Sequence, residues 1–241
     1  MDTMKATEPI DATRLNGRLI VKVCGMRDPQ NIRQLATTGI DWMGMIFWPR
    51  SPRYVDMVRT QAGILPDQAT DTAAEATRRL KRIGVFVDES PQAIITHIVK
   101  FSLDAIQLHG HETPTLIRNL RATVEPDIQP KLTVIKAISV SGKADLERCH
   151  DYEDCVDYFL FDTKCTTMGG SGVQFDWHVL DAYQGSKPFL LSGGIGPADA
   201  DRVRSFHHPM LAGIDLNSRF ETAPGMKDIE AIRQFVAAIN K

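Results

Sequence analysis

Short runs of β-branched and apolar residues alternate along the chain with longer segments of helical periodicity. Each run is apolar enough to need cover on both faces, as the strands of a parallel sheet do. Their starts lie roughly 20 to 40 residues apart, enough for one strand and one crossover helix, and the alternation predicts a single (β/α)8 TIM barrel of the α/β class. The eight runs are Leu19–Cys24, Trp42–Phe47, Arg82–Val87, Ala105–Leu108, Thr133–Ala137, Tyr158–Phe161, Phe189–Leu191 and Ala212–Leu216.

The segments between the predicted strands carry recognisable helix starts. Proline stands in the first turn of three of them, where its fixed φ and missing N–H are tolerated. These predicted helices are Gln30–Thr38, Gln92–Phe101 and Ala198–Arg204. A last predicted helix, Lys227–Ile239, has its apolar residues along one stripe, as expected of a helix packed outside a barrel. The stripe contains Ile229, Ile232, Phe235, Val236 and Ile239.

Two parts of the chain break this alternation. The segment from Ala62 to Lys81 is interrupted by polar residues, and we interpret it as a surface insertion in the second β/α unit. Residues 1–17 are predicted to be a flexible N-terminal segment, which leaves residues 18–241 as the catalytic barrel domain. An open doubly wound sheet is the alternative architecture. It would place a glycine-rich turn after the first strand, whereas here the glycine-rich turns come late.

Composition restricts the classes of partner. The chain has 241 residues, is 43% hydrophobic and carries 28 basic against 30 acidic residues, a formal net charge of −2. That balance gives no basic footprint for nucleic acid or an anionic membrane, so we expect a small-molecule partner.

No apolar segment approaches the roughly 20 residues that span a bilayer, and the first 17 residues lack a signal-peptide core, so we expect a cytoplasmic protein. Four cysteines without Cys-x-x-Cys spacing predict reduced thiols and no zinc site.

Glycine-rich turns follow the sixth and seventh predicted strands, as Gly169–Gly172 and Ser192–Gly194. A backbone without Cβ approaches an anion closely, and many barrels bind phosphate near their last strands. Gly196-Pro197 then opens a helix whose amino end would favour an anion. Ordinary tight turns are the alternative, but two such turns on neighbouring loops favour a phosphate site. The predicted phosphate contacts here are Gly170, Ser171, Gly172, Gly193 and Gly194.

Reactive side chains of barrel enzymes lie at the carboxyl ends of the strands. Cys24 ends the first predicted strand and Asp162 follows the sixth. Strands one and six are three steps apart round an eight-stranded ring, so these two side chains can face each other across the mouth. That arrangement suits a proton given on one side and taken on the other. A thiolate role for Cys24 requires a pKa lowered from about 8.5, and Lys22 on the same face could supply the charge. Simple packing of Cys24 is the alternative.

Three further residues are candidate substrate contacts. Arg53, in the loop after the second strand, could grip a carboxylate with two hydrogen bonds, or could be a solvated surface residue. His109, after the fourth strand, either contacts the substrate or hydrogen-bonds a loop. Asp215, at the end of the eighth strand, either binds a hydroxyl or amine of the ligand or caps the next turn.

In this order and spacing, these residues resemble the phosphoribosylanthranilate isomerase family of tryptophan biosynthesis. The resemblance runs from Val21 to Ile239. Its most specific pieces are Lys22–Met26, Pro49–Tyr54, Gln107–Gly110, Phe161–Thr163, Gly169–Gly172 followed by Phe175–Trp177, and Leu191–Gly194.

The resemblance implies an enzyme that needs no cofactor. It would catalyse the Amadori rearrangement of N-(5-phosphoribosyl)anthranilate to 1-(2-carboxyphenylamino)-1-deoxyribulose 5-phosphate. Asp162 would protonate the ring oxygen as general acid, Cys24 would remove the C2 proton as general base, and Arg53 would hold the anthranilate carboxylate.

The chain departs from the family after the eighth strand. The family often has Asp-Val-Ser-Ser-Gly-Val-Glu there, whereas Asp215–Glu221 of this chain has Arg219 in place of the glycine. Ser218 remains a predicted phosphate contact, but Arg219 either assists anion binding or points to solvent.

Two rival functions remain open. A barrel isomerase of histidine synthesis would act on another aminoribosyl phosphate, but such enzymes generally use paired aspartates, unlike Cys24. A barrel that only binds a phosphorylated ligand would not need an opposed acid and base. The sequence leaves the oligomeric state as monomer or homodimer.

Overall fold

Eight parallel strands form a closed barrel in the computed structural model of the chain, which describes residues 17–56, 79–163 and 176–241. Each strand pairs with the next along the chain, and β8 pairs back to β1. The predicted TIM barrel is therefore confirmed. The strands are β1 Ile20–Cys24, β2 Trp42–Ile46, β3 Lys81–Phe86, β4 Ala105–Leu108, β5 Thr133–Val140, β6 Tyr158–Thr163, β7 Phe189–Ser192 and β8 Leu211–Leu216.

Helices connect the strands on the outside. The first two helices begin with proline, as predicted. The side chains of Asp28 and Ser90 cap these helices by accepting hydrogen bonds from the backbone N–H groups three residues further along. A further helix that was not predicted from the sequence has the same start, with Thr113 as cap. The α-helices that lie wholly within the described residues are α1 Pro29–Ala36, α2 Pro91–Phe101, α3 Pro114–Val124, α4 Ala200–Ser205 and α5 Ile229–Ile239.

Several boundaries differ from the sequence-based expectation. The crossovers after β5 and β6 contain the 3-10 helices Lys143–Tyr152 and Trp177–Ala182. The segment predicted as Ala198–Arg204 is a 3-10 turn, Pro197–Asp199, followed by α4. The final helix begins at Ile229 because Asp228 caps it, accepting from Ala231 N–H at 3.0 Å.

The residue that was predicted to start this last helix, Lys227, instead lies in a two-stranded hairpin formed by β9, Glu221–Ala223, and β10, Met226–Lys227. Lys81, the end of the predicted insertion, begins β3, and residues 62–78 of that insertion lie outside the described residues. So does the N-terminal segment 1–16. None of the helices in the described ranges is long and apolar enough to cross a membrane.

The barrel interior determines which side chains reach the mouth. Its lower end is filled by apolar residues that form one cluster, among them Ile20, Ala105, Leu160 and Leu190. Side chains along a strand alternate between its faces, so residues two and four positions beyond this layer also point inward. The polar side chains placed inside the upper end by this rule are Lys22, Cys24, Gln107, Asp162 and Ser192.

Candidate active site

A cavity at the carboxyl ends of the strands brings together most of the predicted site residues. Cys24 and Asp162 line it from β1 and β6, and the loop after β7 and the segment after β8 supply one side. Arg53 is not among the lining residues, and Gly170, Ser171 and Gly172 lie outside the described residues. The lining consists of Cys24, Ile46, Val85, Gln107, His109, Asp162, Ser192, Gly193, Gly194, Ile195, Asp215, Asn217, Ser218 and Arg219.

The thiol of Cys24 is buried against its neighbouring strand. A Cβ placed on Gly44 of β2 would lie only 2.8 Å from the sulfur, so the thiol position requires glycine there. Burial raises the pKa of the Cys24 thiol above its ordinary 9.0, and the positive charge of the nearby Lys22 only partly opposes this. The predicted lowering of this pKa was therefore wrong. Burial destabilises the thiolate by more free energy than the nearby Lys22 stabilises it.

Lys22 and Asp215 form a buried ion pair below Cys24. The Lys22 Nζ donates to Asp215 Oδ1 at 2.8 Å, and Ser192 Oγ lies 3.3 Å from the other carboxylate oxygen. Burial acts to lower the pKa of Lys22, but Asp215 and Cys24 more than compensate and raise it above 10.5. Lys22 is therefore a permanent positive charge beside the thiol.

Asp162 lies across the mouth, near His109. The His109 Nε2 is 3.7 Å from Asp162 Oδ2, and the two side chains are 31% and 22% exposed, which leaves both open to a ligand. On its other side, the His109 ring nitrogen Nδ1 is 3.2 Å from Gln107 Nε2. The buried Gln107 Oε1 has no hydrogen-bond partner within the described part of the chain. Sequence analysis did not select Gln107, although an amide at an inward position of an apolar strand was a usable signal.

A buried ion pair on the outer face of the sheet fixes the loop that carries His109. Lys136 Nζ donates to Glu112 Oε2 at 3.0 Å and to the Gly110 carbonyl at 2.7 Å. The Glu112 carboxylate in turn accepts from the N–H groups of Gly110 and Asp88. These bonds tie the loop after β4 to β5 and to the end of β3, so His109 is held beside Asp162.

Arg53 lies close to Asn217, which lines the cavity, and belongs to a second charged network. Its Nε and Nη2 donate to the two carboxylate oxygens of Glu221 at 2.8 and 2.6 Å. Lys227 Nζ donates to Glu221 Oε1 at 2.7 Å and to Asn217 Oδ1 at 2.8 Å. The absence of a Cβ at Gly25 allows the close approach of Arg53, because a Cβ there would lie 2.6 Å from Arg53 Cδ. The φ of +84° at Gly25 lies in the left-handed region and independently favours glycine. Glu221 and Lys227 were not among the site residues predicted from the sequence, because Arg53 and Glu221 are 168 residues apart and Lys227 was assigned to the last helix.

The Glu221 network predicts a measurable dependence of stability on pH. Burial alone would raise the pKa of Glu221, but hydrogen bonds from Arg53 and Lys227 lower it from 4.5 to about 2. A depressed folded-state pKa stabilises the protein above pH 4.5, and the contribution is lost as the pH falls toward about 2. We expect this loss to be about 2 kcal/mol.

Urea denaturation of the Glu221→Gln variant tests this expectation. The variant is expected to be less stable than the parent chain near neutral pH, with the difference narrowing as the pH falls below 4.5. Glu230→Gln is the matched control, since Glu230 pairs with Arg233 on the exposed surface of α5. A difference between Glu221→Gln and the parent that does not change with pH would contradict the assignment.

The two glycines of the turn after β7 have a backbone conformation that favours glycine. Gly193 and Gly194 have φ of +99° and +72°, which L side chains rarely adopt. The amino end of the helix that follows does not add to the predicted phosphate site as expected, because Asp199 Oδ2 accepts from Gly196 N–H at 2.7 Å. The N–H group of Gly196 is therefore already hydrogen-bonded to a carboxylate of the chain itself and is not free for a bound phosphate.

Comparisons with known proteins agree with the site. Residues 21–238 match the family model for N-(5'-phosphoribosyl)anthranilate isomerase. The chain is 44% identical to the N-(5'-phosphoribosyl)anthranilate isomerase of Parabacteroides distasonis, with 92% of this chain and 93% of the relative covered. It is 46% identical to that of Phocaeicola vulgatus, over 90% of this chain and 96% of the relative.

Solved structures give the same similarity in three dimensions. The phosphoribosyl anthranilate isomerase of Thermotoga maritima superposes with a TM-score of 0.73 at 29% identity, over 92% of this chain and 98% of that one. A phosphoribosyl anthranilate isomerase in complex with reduced 1-(o-carboxyphenylamino)-1-deoxyribulose 5-phosphate superposes with a TM-score of 0.71 at 27% identity and the same coverage.

Proposed function

This chain belongs to the N-(5'-phosphoribosyl)anthranilate isomerase family of tryptophan biosynthesis, and we propose that Cys24 and Asp162 perform its isomerisation as an acid–base pair. The observation that supports this pair is their placement: they line one cavity from the ends of β1 and β6, three strands apart in the closed ring. A ribose bound between them would present opposite sides to the carboxyl group and the thiol.

The proposed steps account for every proton and bond. The Asp162 carboxyl group gives its proton to the ring oxygen, the bond from that oxygen to C1 breaks, and a cationic imine forms between C1 and the anthranilate nitrogen. As the cationic imine forms beside it, the Cys24 thiol loses its own proton to water, and the thiolate then takes the proton from C2. The electron pair of that C–H bond forms a C1–C2 double bond that neutralises the nitrogen. The resulting enol becomes the ketone by gaining a proton at C1 and losing the proton of its C2 hydroxyl.

The charges around Cys24 indicate that its thiol becomes a thiolate, and so a base, only during the reaction. The raised pKa of the thiol keeps it protonated in the free enzyme at neutral pH. Lys22 is already in place as one positive charge, and the cationic imine adds a second next to the sulfur after ring opening. The thiolate is thus stabilised at the stage at which the C2 proton has to be removed.

The remaining proposed contacts bind the two ends of the substrate, its phosphate and its anthranilate carboxylate. Gly193, Gly194 and Ser218 would hold the phosphate, and Gly170, Ser171 and Gly172, outside the described residues, would complete that cradle. Arg53 would bind the anthranilate carboxylate through Nη1, because Glu221 takes its other two nitrogens and fixes the guanidinium plane.

His109 and Asp215 complete the proposed set. His109 would contact the substrate beside Asp162, to which it lies 3.7 Å away. Asp215 would reach a substrate hydroxyl or amine while it keeps Lys22 charged. The proposal includes a phosphorylated small-molecule substrate, no cofactor, a cytoplasmic location, and either a monomer or a homodimer. The related enzyme of Thermotoga maritima is described as dimeric, in a structure of monomers generated from it.

Rescue of a tryptophan auxotroph that lacks only this isomerase tests the function. The parent chain is expected to restore growth on medium without tryptophan, and a chain with both Cys24→Ala and Asp162→Asn is not. Consumption of freshly generated N-(5'-phosphoribosyl)anthranilate by purified protein, followed by the loss of anthranilate-type fluorescence, gives the rate. A folded, expressed parent chain that neither rescues growth nor consumes this substrate would contradict the proposal.

A further inference from the structure

The side chain of Arg219 lies across the glycine turn that follows β7. A Cβ placed on Gly194 would be 3.8 Å from Arg219 Nε and 4.0 Å from its Nη2. A Cβ placed on Gly196 would be 3.1 Å from Arg219 Cδ, so the aliphatic part of the side chain packs directly on that glycine. Arg219 is exposed and lines the cavity together with Ser218. The guanidinium therefore lies over the turn, at the exposed side of the cavity.

This guanidinium differs from that of Arg53 in having no counterion. Both carboxylate oxygens of Glu221 accept from Arg53, whereas Arg219 makes no hydrogen bond or ion pair with any residue in the described ranges. The nearest acidic group on the same turn is Asp199, whose Oδ2 lies 3.6 Å from the Cβ position of Gly196. That oxygen already accepts from Gly196 N–H. A positive group with five donors thus faces the cavity unpaired.

We propose that Arg219 binds the phosphate group of the substrate, as a side-chain contribution to the cradle formed by Gly193 and Gly194. The inference rests on the proposed function, because it takes the phosphate end of the substrate to lie on this turn. A guanidinium pairs with phosphate through two parallel hydrogen bonds, and a phosphate monoester near neutral pH carries close to two negative charges. In this chain a charged side chain contributes where its family often has only a glycine.

The position of Arg219 indicates that it binds the substrate and takes no part in the proton transfers. It lies next to Ser218 on the 3-10 turn after β8, whereas the proposed acid is at the end of β6, two strands away in the ring. A contact to a group that does not react holds the ground state and the transition state equally, so its loss raises KM and leaves kcat unchanged. We expect Arg219→Gln to raise KM about tenfold, with kcat within about twofold of the parent value.

Binding of inorganic phosphate separates this inference from the proposed function. The dissociation constant of phosphate, measured by calorimetry on the folded protein, requires no turnover. Arg219→Gln is expected to raise it by about the same factor as KM, Arg219→Lys by less, and Arg233→Gln, on the outer face of α5, not at all. Gly196→Ala gives an independent test, because the added methyl group would displace the Arg219 side chain and weaken phosphate binding without removing a charge.

The outcomes are distinct. If the parent chain has no isomerase activity but Arg219→Gln weakens phosphate binding, the proposed function fails and the anion site stands. If the parent chain is active and Arg219→Gln leaves both KM and the phosphate dissociation constant unchanged, the role of Arg219 is overturned. A fall in kcat at unchanged KM would overturn it as well, since that pattern belongs to a group that acts on the reacting atoms.

Discussion

Replacing Cys24 by alanine is expected to lower kcat by about 100-fold or more, the usual contribution of a positioned acid–base group. The sulfur is the proposed acceptor of the C2 proton, and a methyl group cannot accept it. KM should change little, because the phosphate and carboxylate contacts lie elsewhere. The measurement is steady-state turnover of N-(5'-phosphoribosyl)anthranilate, with thermal denaturation to show that the variant is folded.

The pH dependence of turnover adds a second readout for Cys24. Because burial raises the pKa of its thiol above 9.0, the thiolate fraction is small at neutral pH and increases as the pH rises. If the thiolate acts as the base, kcat/KM, which reports the groups of the free enzyme, should rise with pH in the parent chain, and this rise should be absent in Cys24→Ala.

The matched control is Cys149→Ala, which removes another buried thiol at a position that does not line the cavity. Near-normal turnover in Cys24→Ala, or an equal loss in Cys149→Ala, would contradict the assignment.

Replacing Asp162 by asparagine is expected to lower kcat by a similar factor, about 100-fold or more. The amide keeps the size of the side chain and its place beside His109, but it has no acidic proton to give to the ring oxygen. Asp176→Asn is the control, since Asp176 accepts from His178 N–H at the start of a 3-10 helix and does not line the cavity. Near-normal turnover by folded Asp162→Asn protein would exclude the general-acid role.

The two substitutions can be told apart by the step that they block. Asp162→Asn should stop ring opening, so no open-chain imine should form from the substrate. Cys24→Ala leaves the acid intact, so ring opening continues and only proton removal at C2 fails. If the open-chain imine forms as readily in Asp162→Asn as in Cys24→Ala, the acid has been assigned to the wrong residue.

The barrel could be predicted from sequence because its determinants are local. Eight buried apolar runs at even spacing permit few arrangements, and strand alternation then fixes which residues face inward. If Ile20 points into the barrel, Lys22 and Cys24 must also point inward, because they lie two and four positions further along the same strand. For the same reason Asp162 points inward if Leu160 does. The strand ends that were selected from the sequence therefore meet in one cavity.

What the sequence could not supply was the pairing between charges that are distant along the chain. Arg53 and Glu221 are 168 residues apart, and Lys22 and Asp215 are 193 apart, so no local pattern connects them. The same limit explains the wrong pKa direction for Cys24, since the balance between burial and a neighbouring cation depends on three-dimensional packing. The start of α5 was misplaced because Lys227 is held by Glu221 and Asn217, contacts that helical periodicity does not reveal.

A crystal structure of this chain with reduced 1-(o-carboxyphenylamino)-1-deoxyribulose 5-phosphate tests the central claim most directly. We expect the Cys24 sulfur to lie in contact with C2 of the sugar chain and the Asp162 carboxyl group to hydrogen-bond the O4 oxygen, which was the ring oxygen of the substrate, from the opposite side. The phosphate should lie on Gly193 and Gly194. A ligand whose C2 is out of reach of the sulfur, or whose O4 faces away from Asp162, would contradict the mechanism.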